Sequence, residues 1–204
     1  MPQAASGLGA WAVLGVMAVV LMVTLWYRWR ISMVTSLLLA ATIPWLIAGG
    51  FAGQQAVASA LRWGLATCFL VCSVAVWQRK GLLQVCGRAR AKVDVGPEGP
   101  VAARATLLIT TALPVLAVTL MAALLRFAGN SPAQPPDESF FGRIGPNVSY
   151  VVPLVLVVLG LVGHAVRERS AGYAFSAGLV VEMIVTLGYV LSVTTGAGAR
   201  RFEV

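Results

Sequence analysis

Glu182 is the side chain with most chemical consequence, because it interrupts a long uncharged apolar run. A carboxylate deep in such a run is expensive unless protein or water surrounds it, so it marks either a hydrogen-bonded helix contact or a proton path. At 1.5 Å per residue it lies about 20 Å beyond Arg169. A helical period of 100° puts Phe175, Gly178, Thr186 and Tyr189 on its face and Val180, Ile184, Leu187 and Leu191 opposite. The polar stripe is expected to point into the bundle or toward a partner, and the aliphatic face toward lipid. Thr186 and Tyr189 are the candidate hydrogen-bond partners of Glu182.

His164 is the single histidine, four residues before Glu168, so an i,i+4 contact near a membrane interface is expected and a proton-entry role is the sharper reading. One histidine excludes bis-histidine haem and an HExxH zinc site. Cys68 and Cys72, four apart on one helix face, could begin a soft-metal site, but no further ligand accompanies them and small buried hydrophobes is the economical reading. No phosphate-binding glycine loop occurs. Neither a cofactor nor a metal is therefore expected. An intramembrane protease would pair Ser176 with His164, but the GxSG setting is missing.

Arg62 interrupts another apolar run and is expected to reach outward from the outer leaflet; Glu182 is the partner to consider if it turns inward. Pro44 and Pro114 each free the carbonyl four residues earlier, at Ala40 and Thr110. Thr110, Thr111 and Thr119 could satisfy such groups. Gly49 and Gly53, four apart, would permit close helix packing. The stretches 38–44 and 108–114 are alike, which chance among apolar sequences explains.

These residues need a frame, and composition supplies it. Apolar residues form 59% of the 204, charged residues 11%, and mean hydropathy is +0.86. A soluble domain is about 45–50% apolar and about 25% charged, so lipid is the solvent for most of this chain. The expected fold is all-α, a single transmembrane bundle of about six helices over 7–27, 31–50, 57–77, 105–127, 148–166 and 172–194. The first helix reads as uncleaved, since Trp26, Tyr27, Arg28, Trp29 and Arg30 follow it in place of a cleavage site.

Two longer loops join the helices: basic 79–104 and proline-rich 128–147. The stretch 88–95 alternates charged and apolar residues, as an extended strand does, and 96–100 (Gly-Pro-Glu-Gly-Pro) should break regular structure. The 167–169 segment is a tight turn. Neither loop is long enough for a soluble catalytic domain.

The net charge of +8 comes from fifteen basic and seven acidic residues. Ten basic residues follow helices one, three and five; five lie on the other side. That bias puts both termini outside a bacterial inner membrane, with Cys86 in the cytoplasm. The basic loop is expected to meet anionic headgroups, and nucleic acid is not expected as a partner.

Phe140 to Pro146 (FFGRIGP) and Arg167 to Tyr173 (RERSAGY) carry a resemblance. With them, residues 140–195 resemble segments of very long, uncharacterised, many-helix membrane proteins of planctomycete-type bacteria. The resemblance implies that this chain belongs to, or is related to, a larger polytopic protein, and it transfers no activity and no site residues. The function expected is that of a non-enzymatic membrane subunit or module packing on other membrane helices. The alternatives are a small proton-coupled transporter using Glu182 and an intramembrane enzyme.

Overall fold

The computed structural model describes residues 31–51, 57–78, 84, 93–94, 99–127 and 143–197. Five helices run through them: α1 (Met33–Phe51), α2 (Val57–Trp77), α3 (99–127), α4 (Pro146–Glu168) and α5 (Ala171–Ala197). Among the described residues, four stretches are long and apolar enough to cross a bilayer: Val57–Trp77, Val101–Leu124, Val148–Glu168 and Ala171–Leu191. In α1 the apolar stretch is shorter, Leu37–Ala48. The expected helix over 7–27, with Gly53 and Cys86, lies outside the described residues.

Helix α3 begins at Gly99, six residues before the expected start. Pro100 does not break the chain here but opens the helix, because a first-turn proline gives up no hydrogen bond and its φ is already helical. Arg104 consequently sits in a helix rather than in a loop. The strand-like character expected over 88–95 survives among the described residues as Val93–Asp94, which pairs in parallel with Ile31–Ser32. This two-residue pairing brings the start of α1 beside the segment that leads into α3.

Both expected prolines sit inside helices, with different outcomes. Pro44 is buried in α1 and seats against Gly64 of α2. The carbonyl it frees, Ala40, accepts a weak hydrogen bond from the Cys68 thiol at 3.5 Å. Before Pro114, α3 widens into a π-helical turn over Leu108–Ala112, where the Leu113 N–H reaches back five residues to the Leu108 carbonyl. The hydroxyls of Thr110, Thr111 and Thr119 bond the carbonyls of Thr106, Leu107 and Val115 in their own helix. They do not serve the groups that the prolines free. The two similar stretches thus fold differently.

The core lies where α2 meets α4, around Leu65, Phe69, Leu154 and Val157. Two glycines of α4 allow that approach. A Cβ on Gly160 would strike the Phe69 ring, and one on Gly163 would strike the Trp77 indole. In lipid, where apolar burial hardly distinguishes one contact from another, such close fits carry much of helix association.

Helix α4 ends in the expected tight turn. Arg169 adopts a left-handed conformation, φ 51°, and the Ser170 N–H closes on the Ala165 carbonyl. Helix α5 then returns along α4 as the least buried of the four spans, with 22% of its apolar stretch covered against 33–44% in the others.

Candidate functional site

At the end of the bundle that carries the 167–170 turn, four helices converge around His164. Its side chain is 1% exposed. Ser73 and Trp77 reach it from α2, Glu168 from one turn farther along α4, and Tyr173 from α5. The imidazole Nε2 lies 3.1 Å from Ser73 Oγ. The Trp77 indole N–H donates to Nδ1 at 3.1 Å, and Glu168 Oε1 stands 3.4 Å from that same Nδ1. Rings enclose the imidazole: Trp77 edge-on at 5.3 Å and Tyr173 stacked at 5.4 Å. Arg104 from α3 closes the group through an ion pair with Glu168 at 2.5 Å.

Indole nitrogen can only donate, and this assigns the tautomer. Nδ1 must offer its lone pair to Trp77, so the ring hydrogen sits on Nε2 and points at Ser73. Ser73, His164 and Glu168 stand in the order of a hydroxyl, imidazole and carboxylate relay, but with its protons reversed. A general base needs a free Nε2 lone pair facing the hydroxyl. Ser73 is also fully buried. The arrangement therefore works as a clasp joining four helices. The i,i+4 contact between His164 and Glu168 is the one expected; Ser73, Trp77, Tyr173 and Arg104 were not. The spacing of Ser73 and Trp77 along one face of α2 was the available signal.

Ser176 is not part of this group; its hydroxyl donates to the Gly172 carbonyl at 2.9 Å. Cys68 and Cys72 lie 3.9 Å apart, sulfur to sulfur. Among the described residues, no three His, Cys, Asp or Glu side chains gather as a metal site would require.

Arg62 does not reach outward. It is 2% exposed, and its Nη2 donates to Ser59 at 3.1 Å and to Ser149 at 3.4 Å. Its guanidinium carbon lies 3.9 Å from the centre of the Tyr150 ring, while Nε and Nη1 have no hydrogen-bond partner. The expected outward reach fails because α4 stands where water or headgroups would be. Tyr150 and two serines, not Glu182, receive the charge.

Helix α5 carries the second correction. Its residues divide into the two expected faces, but the aliphatic face expected toward lipid packs inward, and the polar stripe, expected inward or toward a partner, points out of the bundle. Val180, Leu187 and Leu191 are buried and Ile184 half-buried, whereas Phe175, Gly178, Glu182, Thr186 and Tyr189 are exposed on the outside of the bundle. In lipid, hydropathy does not tell inside from outside, so an aliphatic face packs on α4 as readily as it faces acyl chains.

Between α3, α4 and α5 runs an open groove of about 570 Å³, lined by Leu108, Leu113, Leu116, Tyr173, Ser176 and Leu179 among others. The π-helical turn of α3 forms one wall, and Tyr173 belongs both to the groove and to the His164 cluster. Glu182 lines neither. Compared with protein-family models, with curated proteins and with solved structures, the chain matches none.

Proposed function

We propose that this is a non-enzymatic, multi-pass membrane module whose helix α5 docks onto a further transmembrane helix through Phe175, Gly178, Glu182 and Thr186. The observation that carries the reading is the outward position of Glu182 at span depth. An ionised side chain facing hydrocarbon there costs roughly 2.5–3.5 kcal/mol on insertion scales, and a covering helix that accepts or donates a hydrogen bond removes that cost. Gly178 sits one turn away and lets a partner backbone come close. A partner helix that belongs to the same larger polytopic assembly is part of this proposal.

Both termini outside a bacterial inner membrane is part of this proposal. Its support is the two-to-one excess of basic residues on one side, together with the gathering of Arg104, Arg167 and Arg169 at one end of the bundle. A Glu182-dependent transporter is the less supported alternative, because the carboxylate belongs to neither the groove nor the His164 cluster.

The test is a photoreactive residue placed at Val185, beside Glu182 on the exposed face, in native membranes. Cross-links to a transmembrane segment, lost in Glu182→Leu, are expected. Adducts with lipid alone would overturn the proposal.

A further inference from the structure

We infer that the groove between α3, α4 and α5 is a binding site for one anionic glycerophospholipid of the leaflet on the 167–170 side. Three observations support it, none involving the Glu182 face. The first is polarity along the groove. Ser170, Gly172 and Tyr173 line the end at the membrane face, and Leu116, Leu179 and Val180 line the deeper part. That is the order of a lipid: polar glycerol above, acyl chain below.

The second is depth. From Ser170 to Val180 the helical rise amounts to about 15 Å, which is half of the roughly 30 Å hydrocarbon core. A groove one leaflet deep fits an acyl chain, whereas a docked transmembrane helix would need a groove along the full span. The volume of about 570 Å³ lies within the roughly 300–1,000 Å³ of small-molecule sites. The π-helical turn over Leu108–Ala112 forms this wall; such turns give up regular backbone bonding and occur often where a helix shapes a site.

The third is charge. Arg167 and Arg169 are exposed on the turn that ends at the groove's rim. A phosphate placed there would also meet the N-terminal end of α5, whose first N–H groups favour anions. Arg104 is engaged by Glu168, which leaves the two turn arginines to select the headgroup.

The experiment is native mass spectrometry of the whole protein, released from vesicles of equal phosphatidylglycerol and phosphatidylcholine. One phosphatidylglycerol per chain is expected to be retained in preference to phosphatidylcholine. At low ionic strength the preference is about fivefold per arginine, the attraction of one basic residue for an anionic surface. Arg167→Gln with Arg169→Asn, asparagine tolerating the left-handed turn, should equalise the two lipids while one is still retained. Ser176→Phe, which fills the groove, should abolish retention of both; Leu113→Trp fills it from the opposite wall if that variant fails to fold. Equal retention of the two lipids by the unaltered protein would overturn the proposal, as would full retention in a groove-filled variant with an unchanged melting temperature.

Discussion

Trp77 and Glu168 compete for one nitrogen, Nδ1 of His164, at 3.1 and 3.4 Å. The contest is decided by a single proton. A neutral ring accepts from the Trp77 indole, whereas a protonated ring has no lone pair there and can only donate to Glu168. The stacked Tyr173 remains on either outcome, and Ser73 receives the Nε2 hydrogen in both.

Acidification should therefore break the Trp77 bond. The emission difference between the unaltered protein and Trp77→Phe isolates this indole from the other five tryptophans. It is expected to change as pH falls and to stay flat in His164→Gln, which carries no titrating ring. A flat difference in the protein with His164 would show that the ring keeps one protonation state.

Removing the clasp should cost more than removing one of its arms. Trp77→Phe loses a single hydrogen bond, about 0.5–1.5 kcal/mol, whereas His164→Ala leaves buried donors and acceptors unmatched, roughly 1–3 kcal/mol each. Thermal melts in detergent should rank His164→Ala below Trp77→Phe. The opposite order would mean that the indole's packing outweighs the polar contacts.

Gly163 and Gly188 form a matched comparison on neighbouring helices. Gly163→Ala pushes a methyl into Trp77, while Gly188 has nothing within 4 Å of its Cβ position. Gly163→Ala is expected to destabilise by about 1–3 kcal/mol through overpacking. Gly188→Ala should be neutral or stabilising by up to about 1 kcal/mol, the helix propensity difference. Equal effects would contradict the close seating of α2 on α4.

How much of this could be read from residues alone depended on whether the cause was local. The four span-length helices and the 167–169 turn were legible because charge and hydropathy are sequence-local, and the His164–Glu168 contact followed from helical spacing. Pro44's freed carbonyl was equally legible, but the Cys68 thiol that answers it comes from another helix. Arg62 misled because two of its partners, Ser149 and Tyr150, come from α4, the first of them 87 residues away. The grouping of α5 into two faces was legible and the inward turn of its aliphatic face was not, since both faces suit lipid well enough for packing to decide. The early start of α3 turned on a proline whose meaning changes with its position in a helix.

Arg62 and Tyr150 should be energetically coupled. Cation–π attraction is worth about 2 kcal/mol when desolvated, and here the guanidinium has no carboxylate among its observed partners. Tyr150→Leu should destabilise the protein clearly, but far less in an Arg62→Leu background, where no buried charge needs the ring. Additive losses in this double-mutant cycle would show that the ring acts only as packing.

A helix docked over Glu182 would shield its neighbours from oxygen. A nitroxide placed at Gly178 reports oxygen collisions, which are frequent in hydrocarbon and rare inside protein; one at Ile109, exposed on α3 outside the groove lining, gives the lipid reference. In native membranes the Gly178 label is expected to be shielded relative to Ile109, and Glu182→Leu should raise its oxygen accessibility toward that reference. Equal accessibility at the two positions, with Glu182 intact, would contradict a docked helix and leave the carboxylate facing lipid.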